Sequence, residues 1–316
     1  MRRHRRRRNK KRITFMVIGL CTLIMVMSAG YAAFQTNLSI NAKGNIVEKS
    51  RVIQSWTGTS NEDFHTDYYR ENIVSATFLD NNSVPDNATE SWNVSEDKKH
   101  GGVMAWVIPT NEDSIKYDLY IGANKGVIAN EDSSYLFGKF TALKNIDFNN
   151  NFDTSNVTNM SHMFWYTISL IKIDLSSFNT SNVTNMASLF TMWTTNVEFA
   201  KGSKLTTIIF GDNFDTNNVT DMSDMFSGTA VTSLDLSDWN ISNVIYMFHM
   251  FNGCNNLEKL NLCNWNTSNA VDMRGMFAGT TKLNNIYVGP NWITTLANTT
   301  DMFTNSGISS VTTGQC

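Results

Sequence analysis

From about residue 143 onward the apolar positions follow one pattern, and the pattern recurs. Its first half is L-x-x-L-x-L, as in Leu234-Asp235-Leu236 and Leu260-Asn261-Leu262. Alternation of this kind predicts a short strand with one buried face. Its second half is V-x-x-M-x-x-M-F, as in Val157, Met160, Met163 and Phe164. Spacings of three and four predict one face of a helical turn or two. Between the halves lies Asn-Thr-Ser-Asn, which supplies turn and capping chemistry. The closing pair sets the register: Met163-Phe164, Leu189-Phe190, Met225-Phe226, Met250-Phe251, Met276-Phe277 and Met302-Phe303. Successive pairs are 26, 36, 25, 26 and 26 residues apart.

Strand, turn, short helix and turn in about 26 residues predict an α/β leucine-rich-repeat solenoid, six repeats plus a truncated seventh over residues 143–316. Equivalent side chains then form ladders from coil to coil. One ladder is Phe152, Phe178, Phe214, Trp239 and Trp265; another is Met160, Met186, Met222, Met247 and Met273. A methionine stripe suits a soft metal, but beside Phe and Leu it reads as core. Nine extra residues before the third strand, within 191–203, bring in Trp193 and Phe199.

The pattern changes ahead of the repeats. Residues 52–142 carry β-prone runs at Ile73–Leu79, Val103–Ile108 and Lys116–Ile121, separated by turn-rich segments. A solenoid leaves its first coil open, so this region is expected to be a β-rich cap. The alternative is a ligand-binding β-domain with Trp56, Tyr68, Tyr69, Trp92 and Trp106 as an aromatic platform. Residues 35–51 are polar and read as a linker.

Charge changes the picture at one end. Nine of the 25 Lys and Arg residues lie in the first twelve positions, leaving 16 basic against 28 acidic residues in the remainder, a net of −12. An acidic body argues against a nucleic-acid partner, whose phosphates need Lys and Arg. The basic run leads into Ile13–Ala29, 17 apolar residues that extend to Phe34. Residues 1–34 therefore read as a signal peptide or an uncleaved membrane anchor. Either places the chain after about residue 35 at the cell surface or outside the cell. Cys21, Cys254, Cys263 and Cys316 match no zinc spacing, and although Cys254 and Cys263 could meet in a turn, each falls at an ordinary repeat position, which argues against their pairing.

The repeat W/F-N-T-S-N-V-T-N-M-x-x-M-F, with the entry segment from Asn130 to Phe164, resembles the BspA-like leucine-rich-repeat surface proteins of bacteria, in the branch common in Firmicutes and Mycoplasma. The resemblance runs from about Ile73 to the last residue. It implies an exported solenoid, with adhesion or host contact suggested for some members, and no catalytic residues.

Candidate chemistry is sparse. There is no G-x-S-x-G, H-E-x-x-H, phosphate loop or EF-hand loop, and no enzyme activity, cofactor or metal is expected. His162 and His249 share a repeat position with Ser188, Asp224, Gly275 and Asp301, which predicts a solvent-facing site. A binding surface is instead expected on the outward strand residues, with Lys172, Asp174, Ser233, Asp235, Lys259, Asn261, Asn285 and Tyr287 as candidates. Asp147 and Asp174 on neighbouring strands would repel, a weak pointer to Ca²⁺. The expected function is non-catalytic binding or adhesion to a protein or glycan on another cell, matrix or envelope. The alternative is an envelope protein that self-associates or packs on wall polymer. In either case the membrane is a partner if residues 1–34 are retained.

Overall fold

The structure, a computed structural model, describes residues 38–40, 46–110, 115–192 and 202–313. The expected export segment, Trp193, Phe199, Cys21 and Cys316 lie outside them. The chain divides into two compact units, residues 1–49 and 50–316. In the first, β1 (Leu38–Ile40) pairs antiparallel with β2 (Ile46–Glu48), where a linker is expected. Both strands bear aliphatic residues and flank the turn-prone sequence Asn-Ala-Lys-Gly-Asn.

The second unit opens with a 3-10 turn (Asp63–His65) and helix α1 (Asp67–Asn72). The Thr66 hydroxyl accepts from the Tyr69 N–H at 3.3 Å, capping the helix, and Asp67 sits in its first turn. The chain then turns extended into β3 (Ile73–Leu79). β4 (Glu90–Asn93), β5 (Met104–Pro109) and β6 (Tyr117–Gly122) complete a meander. The sheet order is β4-β5-β6-β3-β8, where β8 (Asn145–Asp147) is the first strand of the repeats. β3 is parallel to both β6 and β8, and the other two pairings are antiparallel. β7 (Val127–Ile128) pairs with β9 (Phe152–Asp153).

The aromatics of this region form a core rather than a platform. Trp56, Tyr69 and Trp106 are buried and Trp92 half-buried; only Tyr68 is exposed. The His65 ring stacks on Trp56 at 4.2 Å, and its Nε2 pairs with the Leu136 carbonyl at 2.8 Å. Burial pushes its pKa well below the usual imidazole range.

The strands of the repeats are β10 (Lys172–Leu175), β11 (Thr207–Phe210), β12 (Ser233–Asp235), β13 (Lys259–Leu262), β14 (Asn285–Val288) and the short β15 (Thr312–Thr313). All pairings among them are parallel, but they form two sheets, β10-β11 and β12-β13-β14-β15. The expected unbroken strand row is corrected at two places. β8 pairs with β3 rather than with β10, and β11 does not pair with β12. The second break does not fall at the nine-residue insertion, since β10 and β11 pair across it.

Continuity runs instead along the M-x-x-M-F half. One-residue parallel bridges link Asp132, Asn159, Asn185, Asp221, Tyr246, Asp272 and Asn298 in sequence. The N–H groups of Met160, His162, Phe164 and Tyr166 donate to the carbonyls of Asn185, Ala187, Leu189 and Thr191 on the next coil. This half was expected to be helical, and it is not. His162, Ser188, Asp224, His249, Gly275 and Asp301 all have φ between 56° and 59°, which a right-handed helix excludes. A helix would spend these N–H groups within the coil, whereas the stack spends them between coils.

The same geometry accounts for the residue types. Gly, Asp and His tolerate positive φ better than bulky or branched residues. A Cβ on Gly275 would run into the His249 ring. The bridge ladder begins at Asp132, so the stack starts a coil edge earlier than Leu143. Leu136-Phe137 is a missed register pair, 27 residues before Met163-Phe164.

Phe137, Phe164, Phe190, Phe226, Phe251, Phe277 and Phe303 stack face to face through the molecule, centroids 5.5–6.0 Å apart. Offset stacking adds to the burial of six rings on one axis, with Phe303 half-buried at its end. Buried threonines stitch the coils on another side. The Thr267 hydroxyl donates to the Ile293 carbonyl at 2.7 Å and accepts from its N–H at 2.6 Å, and Thr154 does the same with Asn179. In the fourth copy Ile241 takes this position and is buried as an apolar residue.

Candidate functional site

Asn and Asp residues shape the surface of the stack. In the coil containing β10, Asp174, Asn179 and Asn185 each accept the N–H two residues on, from Ser176, Ser181 and Ala187, at 2.9–3.1 Å. Asn261, Asn266 and Asp272 do the same in the coil containing β13. Three such Asx turns fold each regular coil into three sides. Where Ile209 or Tyr246 stands in for the acceptor, that coil makes the turn without a side-chain cap.

The strand candidates fall into two groups. On the four-stranded sheet, Ser233, Lys259 and Asn285 share one row, and Asp235, Asn261, Tyr287 and Thr312 the next. Lys172 and Asp174 lie on the other sheet, beside Thr207 and Ile209. The structure thus brings six of the eight together. Ser233, Asp235 and Lys259 are exposed; Asn261, Asn285 and Tyr287 are half-buried.

The second row has a structural task as well. The Ser237 hydroxyl and N–H donate to Asp235 Oδ1 at 2.7 and 3.1 Å, and the hydroxyl chiefly holds the Asp235 pKa below the usual range. Asp174 is lowered in the same way by the Ser176 hydroxyl, with Lys172 Nζ at 3.8 Å from its other oxygen.

The Ca²⁺ pointer loses its ground here. β8 and β10 are not paired, and the Asp147 and Asp174 carboxylates each accept an N–H of their own turn. Among the described residues no group of three or more His, Cys, Asp or Glu is placed to hold a metal ion.

Cys254 and Cys263 differ in state. Cys254 is free and buried, its thiol bonded to the Phe226 carbonyl at 3.1 Å, and burial pushes its pKa up to about 11. Cys263 is disulfide-bonded, so the two do not pair with each other.

The position that His162 and His249 share is solvent-facing only in part: Asp301 is exposed, Gly275 is buried and the others are half-buried, the His249 side chain being 41 % exposed. His162 stacks on Tyr135 at 4.6 Å. His249 Nδ1 lies 3.9 Å from Asp224 Oδ1, beyond hydrogen-bond reach, and that oxygen is buried without a hydrogen bond. Burial, then the charge of Asp221, raises Asp224 to about 7. Burial and then Arg274 lower His249. Arg274 itself is engaged, two of its nitrogens holding Asp272 at 2.7–3.0 Å.

Sequence reasoning missed a third surface. Asn218, Thr220, Asn243, Ile245, Asn269 and Val271 line a groove across three coils, between the second Asx turn and the bridge ladder. The signal was in the repeat, since Asn182, Asn218, Asn243 and Asn269 hold one register position.

The family described as "Mycoplasma protein of unknown function, DUF285" matches residues 131–201 and 194–312, more than half of the chain. The chain belongs to this family. No curated protein and no solved structure matches it. No helix among the described residues is long and apolar enough to cross a membrane.

Proposed function

We propose that the protein is an exported, non-catalytic binding module of the bacterial surface. On this reading its repeats are a leucine-rich-repeat solenoid of the BspA-like kind, capped at the first coil by the mixed sheet that β8 joins. It meets a protein or glycan of another cell, a matrix or the envelope through its strand rows. One observation carries the reading: Ser233, Lys259, Asn285, Asp235, Asn261 and Tyr287 stand in register on one sheet. A flat array of polar residues on a preformed scaffold loses little entropy on binding. Residues 1–34 supply the route out of the cell and, if retained, the anchor.

The test is a binding screen of the full chain against glycans and matrix proteins, repeated with Lys259→Glu and Tyr287→Ala. A saturable target whose affinity falls at least tenfold in both variants is the expected result. Concentration-dependent self-association in sedimentation, with no saturable target, would favour the envelope-organising alternative and sink this one.

A further inference from the structure

The groove beside the bridge ladder is built differently from the strand rows, and we infer that it is a separate binding site for a linear, neutral polysaccharide. Its polar side is a row of fixed carboxamides. Asn218, Asn243 and Asn269 donate through Nδ2 to the carbonyls of Ser181, Asn217 and Ser242, each on the preceding coil, at 2.7–2.8 Å. Those bonds set the plane of each amide and leave its Oδ1 without a hydrogen bond among the described residues. The three residues are exposed. The groove therefore presents hydrogen-bond acceptors at the spacing of the coils, about 4.8 Å for adjacent parallel strands, held without further entropic cost.

The other side is apolar at the same spacing. Val271 is 55 % exposed and Ile245 half-buried. The Thr220 hydroxyl donates to the Thr184 carbonyl at 3.1 Å, which leaves its methyl group as the outward part. Tyr246, 44 % exposed, stands next to Ile245 in the chain.

The occupant follows from what the groove offers and withholds. None of the six lining residues carries a charge. An anionic polymer or a charged peptide finds no partner there, and the body of the chain is acidic. A peptide added as a strand needs free backbone groups. Here the N–H groups of Ile245, Val271 and Asn298 are already bonded to Thr220, Ile245 and Val271 of the preceding coils. A neutral glycan has what remains: hydroxyl donors along one edge of each ring, C–H surface on its faces, and a repeat of one ring per coil. Three coils accommodate about three rings, so affinity rises with chain length up to that size and then levels off.

The experiment titrates the full chain with neutral oligosaccharides of two to six hexose or N-acetylhexosamine units, by calorimetry. Val271→Lys, at an exposed position, and Ile245→Glu, at a half-buried one, block the apolar side, and circular dichroism checks that both fold. Lys259→Glu, on the strand rows, is the control. Expected are saturable binding that strengthens at least tenfold from two units to four with little further gain, and its loss in both groove variants but not in Lys259→Glu. Absence of binding by every oligosaccharide at millimolar concentration overturns the proposal, as does binding that the folded groove variants retain. Binding lost only in Lys259→Glu would place the glycan on the strand rows, which overturns the groove and leaves the strand-row reading standing.

Discussion

Two sides of each coil answer the same repeat in different ways. The strand side carries the residues with strand propensity, yet its hydrogen bonding is interrupted between β8 and β10 and again between β11 and β12. The M-x-x-M-F side has no regular secondary structure, yet its bridges run unbroken from Asp132 to Asn298. Length does not explain the contrast, since β10 and β11 pair across the insertion while both breaks fall between coils whose register pairs are 25 and 26 residues apart. The M-F segments keep one register through every coil, so the stack is organised on its left-handed turns and the strands pair along only part of it.

The sharpest way to break the comparison is to remove one ring from the continuous side. Phe226 is fully buried, stacked on Phe190 at 5.7 Å and on Phe251 at 5.5 Å. Phe226→Ala is expected to cost about 3–5 kcal/mol in chemical denaturation. Ile208→Ala, in a half-buried position on β11, should cost much less. Equal losses would mean that both sides bear the stack alike. Because each coil touches chiefly its neighbours, the Phe226 variant should also broaden the transition, as two half-stacks separate.

Much of this was legible, and for an identifiable reason. Apolar spacing reports burial, and Val157, Met160, Met163 and Phe164 are all buried as their spacing requires. Spacing does not report where the backbone bonds go. A helix and a left-handed turn bury the same four side chains, so the helical expectation failed while the core expectation on the same residues did not. The mixture of Gly, Ser, Asp and His before each Met-Phe pair was the available signal for positive φ, and exposure accounts for only part of it. The strand rows were countable because parallel register follows repeat length. The second row's turn-capping task and the bonding of the groove's amide row were not, because both depend on which neighbouring carbonyl or N–H a short side chain reaches.

Asp224 tests the continuous side by pH. Its folded pKa is raised to about 7 from an ordinary 3.8. A raised carboxyl contributes most below the unfolded value, and that contribution drains away as pH climbs toward 7. Asp224→Asn removes the ionisation, and Asn suits the φ of 56°. The variant should match the parent near pH 4 and exceed it at pH 8. A shift of this size has a ceiling of roughly 4 kcal/mol, and water and side-chain relaxation bring the expected gain to about 1–2 kcal/mol. His249, whose pKa is lowered, works in the opposite sense: its contribution is present above pH 6.5 and lost on acidification. The pH-dependent difference between parent and Asp224→Asn should therefore persist in a His249→Asn background. A gain at pH 8 no larger than at pH 4 would show that Asp224 is ionised without cost, and that the bridge ladder is more open to water than its geometry implies.

The smallest effect belongs to the strand side. Asp235 is exposed, and its carboxylate holds the turn after β12 through the Ser237 hydroxyl and N–H. Asp235→Ala removes both bonds and leaves groups that water can satisfy, so the expected cost is about 0.5–1 kcal/mol. Asp235→Asn keeps the acceptor oxygen, as Asn261 does at the same position of the next coil, and should lose less than half of that. If the proposed binding face is real, the order reverses for ligand affinity. Asp235 lies in the row with Asn261 and Tyr287, so the stable Asn variant should still bind differently from the parent, having changed charge without changing the turn. Denaturant midpoints that follow turn capping, alongside affinities that follow charge, would separate the two tasks of this row. Affinity that merely follows stability would leave the strand side a scaffold.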